Sequence, residues 1–171
     1  MIFTVGHSTR SVDELAALLA ENGVDLLADV RTVPRSRTNP QFNADTLPAA
    51  LGAHGIGYRH FAALGGLRKR AKGASPNAAW RNESFRNYAD YALTPAFREG
   101  LDELRKLAEG HRVAIMCAEA VWWRCHRRII ADYLLAAGEE VTHILAPGRV
   151  EPARPTPGSV VAAEGGVVYP G

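Results

Sequence analysis

The chain has 171 residues, of which 47% are hydrophobic and 22% are charged, and its formal net charge is +2. A chain of this length and composition can bury one sizeable hydrophobic core, which excludes a disordered protein and predicts a single folded domain. The small positive charge favours no class of partner, so local groups of charged residues must indicate what the protein binds.

No apolar run in the sequence approaches the roughly 20 residues that a membrane span requires. The apolar residues 2 to 5 are also too few to form the core of a signal peptide. We therefore expect a cytoplasmic protein without a membrane partner. In that compartment Cys117 and Cys125 are expected to be reduced thiols.

The first thirty residues show a strand pattern, a helix pattern and a second strand pattern. Residues 2 to 5 are an apolar run typical of a buried strand. Ser11 and Glu14 have the spacing of a capping box, which predicts a helix that begins at about Val12. Residues 25 to 30 form the next apolar run, so a βαβ unit is predicted.

The middle of the chain alternates loops with further elements. Two prolines and three arginines make residues 31 to 42 a long, positively charged loop. The elements predicted after it are a helix over 45 to 54, a strand over 56 to 60, an irregular surface segment over 65 to 82, and helices over 84 to 91 and 95 to 110.

The stretch from 113 to 135 places a strand, a loop rich in reactive side chains and a helix in direct succession. Residues 113 to 116 predict a strand buried on both faces. The helix is predicted to begin near residues 124 to 126, so its unpaired N–H groups and positive dipole end point into the loop. An anion, or a thiolate at Cys125, is favoured there. A fifth strand is predicted over 141 to 145.

Alternating strands and helices predict an α/β fold, namely a single three-layer domain with a mainly parallel sheet of about five strands and helices on both faces. This domain is expected to span residues 1 to 146. Residues 147 to 171 are rich in Pro and Gly and have no periodic pattern, so we expect an irregular C-terminal arm or tail. Ligands of such sheets bind at the carboxyl ends of the strands, which gathers candidate site residues from distant parts of the chain.

The gathered residues favour an anionic ligand. Arginines, hydroxyls and a helix N-terminus are groups that bind phosphates, so we expect a phosphate-bearing ligand, either a nucleotide or a nucleic acid. The candidate ligand-binding residues are Ser8, Thr9, Arg31, Arg35, Arg37, Trp123 and Arg127. Trp123 is included as a stacking platform for a base. Glu119 is the candidate general base, with His7 or His126 as its partner, although whether the chain is an enzyme stays open.

Two alternatives stand beside this interpretation. Cys117 or Cys125 is a candidate nucleophile for a thiol-dependent transferase or hydrolase. Glu119 is slightly preferred, because the loop lacks glycines that would turn N–H groups toward an anion. The second alternative is a non-catalytic module whose Trp122, Trp123 and C-terminal tail meet a protein partner.

No metal, cofactor or oligomeric state is predicted. Cys117, Cys125, His126 and His7 are suitable types of zinc ligand. No CxxC or HxxxH spacing accompanies them, so the pattern does not favour a zinc site.

Six short motifs occur in order along the first 146 residues. They are GHS at 6 to 8, DVR at 29 to 31, PRSR at 34 to 37, LGG at 64 to 66, MCAE at 116 to 119 and CHR at 125 to 127. With this set in this order, the chain resembles the bacterial family called domain of unknown function 488. The resemblance implies an α/β domain and carries no established reaction.

A weaker resemblance is to rhodanese and cysteine-phosphatase domains. In those domains a strand ends in a nucleophilic cysteine, a loop cradles an oxyanion and an arginine opens the next helix. Cys117 and Arg124 stand in corresponding places, although the spacing between them is one residue longer than in the phosphatases. The resemblance implies that Cys117 is the nucleophile.

Overall fold

The computed structural model describes all 171 residues and contains one six-stranded sheet. Its strands are β1 (Ile2–Gly6), β2 (Leu26–Asp29), β3 (Gly57–His60), β4 (Val113–Cys117), β5 (Val141–Ala146) and β6 (Arg149–Pro152). Their order across the sheet is β3-β2-β4-β1-β5-β6, and only β6 is antiparallel to its neighbour. The predicted α/β domain with a mainly parallel sheet is confirmed.

Five α-helices connect the strands. They are α1 (Val12–Glu21), α2 (Leu47–Gly52), α3 (Glu83–Tyr91), α4 (Pro95–Gly110) and α5 (Arg127–Ala136). Short 3-10 helices lie at Pro40–Phe42, Ala62–Leu64 and Trp122–Arg124. None of the helices combines the length and apolar character needed to cross a membrane.

The helix boundaries follow from local hydrogen bonds. The Ser11 hydroxyl accepts from the Glu14 amide at 3.0 Å, and the Glu14 carboxylate accepts from the Ser11 amide at 2.8 Å. This capping box fixes the start of α1 where the sequence predicts it. By contrast, α5 begins at Arg127, because a separate 3-10 turn occupies the residues just before Cys125.

The sheet separates two hydrophobic cores. On one face, α1 and α2 pack their leucines, including Leu15 and Leu51, against Phe3 and Val5 of β1. The helices α3, α4 and α5 cover the opposite face, where their buried residues pack against Ile2 and other strand residues. Successive residues of β1 thus enter opposite cores, as expected for a strand buried on both faces.

The C-terminal arm is irregular over most of its length, as expected, but it adds three short strands. One is β6, and the others are β7 (Val160–Val161) and β8 (Val167–Val168), which form a hairpin. The buried Tyr169 attaches the end of the arm to the rest of the domain. Its hydroxyl donates a hydrogen bond to the Asp132 carboxylate at 2.7 Å, and its amide donates to the Asn77 side chain at 2.9 Å. The sequence did not predict these strands, because strands of two to four residues are too short to show an alternating apolar pattern.

Candidate active site

The carboxyl ends of β1, β2 and β4 meet at one edge of the sheet. Gly6 is paired with Cys117, and Asp29 is paired with Met116. Cys117 and the loop after β1 therefore lie at the same end, as the sequence predicted. A cavity of about 410 Å³ opens there. Its lining residues are His7, Arg31, Thr32, Val33, Arg35, Ser36, Gly66, Leu67, Ser84, Phe85, Tyr88, Cys117, Ala118, Glu119, Arg124, Cys125 and His126.

The cavity brings together many of the predicted site residues, namely His7, Arg31, Arg35, Cys117, Glu119, Cys125 and His126. Ser8, Thr9, Arg37, Trp123 and Arg127 lie outside the lining. Thr9 and Arg37 are exposed elsewhere, and Trp123 is 48% exposed with its ring edge-on to Trp122. Arg127 is buried beneath the cavity.

Cys117 and Cys125 form a pair at the base of the cavity. The structure places their sulfur atoms in bonding contact, with Cα atoms 7.4 Å apart. No cysteine of the chain is free, which corrects the expectation that both are reduced thiols.

Arg127 is a buried cation that contacts the first of these sulfurs. Its Nε donates to Cys117 Sγ at 3.0 Å, its Nη1 to Thr4 Oγ1 at 3.1 Å and its Nη2 to the Glu119 carbonyl at 2.7 Å. No carboxylate lies within ion-pairing distance of it. Burial lowers the pKa of Arg127 to about 9, partly offset by the charge of Glu119, so the guanidinium is still charged at neutral pH.

A hydrogen-bonded chain continues behind Arg127. The Thr4 hydroxyl oxygen accepts a hydrogen bond from Arg127. The same oxygen lies 2.6 Å from Nδ1 of His143, and the hydroxyl donates its proton to that nitrogen when Nδ1 is unprotonated. The ring of His143 stacks on Trp122 at 4.4 Å. Sequence reasoning missed Thr4 and His143 as site residues. The available signal was a buried-strand pattern interrupted by a polar residue at Thr4 and at His143, which the structure pairs across β1 and β5.

The histidines of this region are held neutral. Nε2 of His126 lies 2.7 Å from the Val30 carbonyl and so carries the proton, which leaves Nδ1 bare at 3.4 Å from Cys125 Sγ. Burial lowers the pKa of His126 to about 4 and that of His143 to about 4. Burial also lowers the pKa of His7, whose ring stacks on Phe42.

These lowered values predict a loss of stability in mild acid. Both histidines bind protons more weakly in the folded chain than in the unfolded chain, so stability is fully present above about pH 6.5 and falls as the pH drops toward 4. Each histidine should contribute on the order of 3 kcal/mol to this loss. Urea unfolding at pH 7 and at pH 4.5 measures it.

His143→Asn is the matched control for the acid effect. Asparagine offers an acceptor near the position of Nδ1 but does not titrate. The variant should therefore lose less stability between the two pH values than the parent protein. An equal loss in both proteins would assign the acid sensitivity to other groups.

Arg31 is held by a buried ion pair. Its Nε and Nη2 donate to the two carboxylate oxygens of Asp29 at 2.9 and 2.7 Å. Nη2 also donates to the Phe42 carbonyl at 2.7 Å, and Tyr58 donates to Asp29 at 2.5 Å. Arg31 lines the cavity, but Asp29 balances its charge. Arg31 therefore acts mainly on the stability of the fold, and its charge is less available to bind a ligand.

Two motif glycines allow other parts of the chain to approach closely around the site. A Cβ atom at Gly6 would overlap the carbonyl oxygen of Glu119 in the loop after β4. A Cβ atom at Gly66 would lie 2.6 Å from Nδ1 of His126. Both positions therefore exclude any side chain. Ser8 follows with a φ of 50°, a left-handed conformation that is uncommon for residues other than glycine, and its carbonyl lies 2.8 Å from His7 Nδ1.

The mouth of the cavity is positively charged. Arg35 and Arg124 are exposed lining residues, and neither forms an ion pair. Glu119 is the acidic side chain of the lining. Asp29 balances the charge of Arg31, so Arg35 and Arg124 stand against the single negative charge of Glu119. The side chains of the lining therefore carry a net positive charge. The residues include no group of three or more His, Cys, Asp or Glu side chains arranged to hold a metal ion.

Comparison with known proteins identifies the family of the chain. No curated protein matches the chain, and no solved structure matches it. Residues 11 to 134 match the model of the family described as "Domain of unknown function DUF488". This match covers more than half of the chain and includes most of the motifs that border the cavity, so the chain belongs to the DUF488 family.

Proposed function

We propose that the chain is a cysteine-dependent enzyme in which Cys117, once the bond to Cys125 is reduced, is a thiolate that attacks a phosphate-bearing or similarly anionic ligand. The observation that carries this proposal is the contact between Arg127 Nε and Cys117 Sγ at 3.0 Å. A buried cation without a carboxylate partner stabilises a negative charge beside it, and the sulfur is the adjacent group that can supply one. We therefore prefer Cys117 to Glu119 as the reactive group.

The ligand proposal rests on the exposed charges of the mouth. Arg35 and Arg124 have no internal partner, so both are free to contact an anion. Each charge-assisted hydrogen bond to a phosphate contributes about 1.5 to 3 kcal/mol. The lining also includes Leu67 and Phe85, which suit an apolar or aromatic part of the same ligand. A nucleotide or the end of a nucleic acid combines both features.

The proposed reaction is a nucleophilic substitution. The lone pair of the Cys117 thiolate forms a bond to the electrophilic atom of the ligand, and the bond to the leaving group breaks with its electron pair on that group. Water or a second acceptor then takes the transferred group, and Cys117 departs again as a thiolate. The Arg127 guanidinium stabilises the charged sulfur at both stages. We place this chemistry in the cytoplasm, where thiols stay reduced.

A purely binding role is the second candidate. Trp123 is exposed at the edge of the loop after β4 and could anchor a protein partner. That role does not require a buried cation beside a sulfur, so the enzymatic proposal accounts for more of the structure.

The reactivity of Cys117 tests the proposal. In Cys125→Ser protein, which has one thiol, iodoacetamide should alkylate Cys117 with an apparent pKa at least about one unit below the usual value of 8.5. A saturating nucleotide should slow this alkylation, and Arg35→Ala should weaken the protection while Arg37→Ala, outside the cavity, should not. An apparent pKa of 8.5 or higher would contradict the thiolate. Absence of protection by any nucleotide or by inorganic phosphate would contradict the anionic ligand alone.

A further inference from the structure

A second sulfur stands directly beside the proposed nucleophile. Cys125 Sγ is in contact with Cys117 Sγ, and both residues line the same cavity. The surroundings of the two differ. Cys117 accepts a hydrogen bond from a buried guanidinium, whereas Cys125 faces the bare Nδ1 of His126 at 3.4 Å. In the reduced pair, the guanidinium favours loss of the proton from Cys117. Cys125 instead keeps its proton and donates it in a hydrogen bond to the imidazole of His126.

Cys125 has no place in the substitution reaction described above. A nucleophilic cysteine needs no second cysteine in contact, and a small buried residue such as alanine would fill the position without one. Cys125 is nevertheless held in place, since its Sγ accepts from the Arg127 amide at 3.4 Å at the start of α5. This arrangement keeps the second sulfur within reach of the first.

We propose that Cys125 is a resolving cysteine, which converts peroxide-oxidised Cys117 into a reversible intramolecular disulfide. The proposal rests on the proposed function in one respect, namely that Cys117 is a thiolate. It adds a partner for that thiolate and a redox control of the same site. The co-reactant is a hydroperoxide, and the reductant that restores the site is a dithiol.

Two steps complete the oxidation. The Cys117 thiolate attacks one peroxide oxygen, so a sulfur–oxygen bond forms, the oxygen–oxygen bond breaks and hydroxide leaves. Cys125 then attacks the Cys117 sulfur, so the disulfide forms and the sulfur–oxygen bond breaks. The proton of the Cys125 thiol goes to the departing hydroxide, which leaves as water. A dithiol later returns two electrons and two protons to the pair.

The disulfide also changes the site. Joining the sulfurs removes the negative charge that Arg127 faces. The oxidised protein therefore has no nucleophile at Cys117.

The test is a peroxide titration of the reduced full-length chain, read by intact mass. One equivalent of hydrogen peroxide should lower the mass by two hydrogen atoms, abolish alkylation of both cysteines and be reversed by dithiothreitol. In Cys125→Ser protein the same treatment should add oxygen atoms to Cys117, with the first step trapped by dimedone. Cys117→Ser should react with peroxide at least about tenfold more slowly than the parent protein.

The outcomes separate this inference from the proposed function. If the parent protein gains oxygen atoms at Cys117 or forms only intermolecular disulfides, while Cys117 still alkylates rapidly at pH 7 in Cys125→Ser protein, the resolving role is overturned and the nucleophile stands. If Cys117 alkylates as an ordinary thiol in Cys125→Ser protein, the proposed function itself is overturned. Loss of two hydrogen atoms from the parent protein together with rapid alkylation of the variant supports both.

Discussion

Replacing Arg127 with methionine should slow the alkylation of Cys117 at pH 7 by about 10- to 100-fold. The guanidinium Nε lies 3.0 Å from Cys117 Sγ, and its charge favours the thiolate over the thiol. Without that charge, burial alone acts on the sulfur, and burial favours the neutral thiol. The measurement is the pH dependence of the alkylation rate in a Cys125→Ser background, where the curve should move to higher pH.

Arg127→Lys is the matched control for the charge. Lysine keeps the positive charge but loses the planar fork that reaches Thr4 and Glu119 at once. It should therefore retain part of the low thiol pKa that methionine abolishes. Thermal unfolding of both variants monitors folding. Equal alkylation curves for the methionine and lysine proteins would show that the charge of Arg127 does not activate Cys117.

Other charged or titratable groups share the surroundings of Cys117. They are His126 on α5, His7 after β1, Arg31 after β2, and Glu119 and Arg124 in the loop after β4. His7 and His126 are neutral, since burial lowers the pKa of each. Asp29 neutralises Arg31, and the exposed groups are screened by solvent. The buried Arg127 therefore dominates the charge at the sulfur.

Replacing Arg31 with alanine should lower the free energy of unfolding by about 3 to 5 kcal/mol. Asp29 is fully buried, and Arg31 donates to both of its carboxylate oxygens. The substitution leaves a buried negative charge with Tyr58 as its remaining side-chain donor. Chemical denaturation at pH 7 measures the change. A loss of less than about 1 kcal/mol, the range of exposed ion pairs, would contradict this account.

Arg35→Ala is the control for Arg31→Ala. Arg35 is exposed at the same cavity and forms no ion pair, so its replacement should leave stability nearly unchanged. The double variant Asp29→Asn with Arg31→Met should be more stable than Arg31→Ala, because neither partner then leaves a buried charge. Any effect of Arg31→Ala on ligand binding must be compared at equal folded fraction, since the substitution acts first on the fold.

The sequence predicted the sheet and the location of the cavity well, for identifiable reasons. Short apolar runs such as residues 113 to 116 favour buried strands over helices, and parallel strands bring their carboxyl ends to one edge. Cys117, Glu119 and His7 were therefore placed correctly around one cavity. Arg127 was predicted to bind the ligand, but the structure places it outside the cavity lining. Its side chain turns under the cavity, not into it.

Other features of the site depend on which strands are neighbours, and no local pattern reveals that. Thr4 and His143 meet because β5 lies beside β1, which the alternation of strands and helices leaves undetermined. The pair Asp29 and Arg31 was named in the sequence as part of a motif, but only the folded loop shows that the arginine bends back to the carboxylate. The contact between Cys117 and Cys125 likewise requires the path of the loop between them.

The position of β1 in the sheet has a consequence for how the chain folds. Although α1 connects β1 to β2, the two strands do not pair, because β4 lies between them. Ile2 is instead paired with Val113 and with Val141, both in the last part of the chain. During synthesis β1 is made before the other strands of the sheet, and its partners β4 and β5 follow only after more than 100 further residues. The centre of the sheet, and the cavity above it, therefore assemble late and through long-range contacts, the kind of topology that folds slowly.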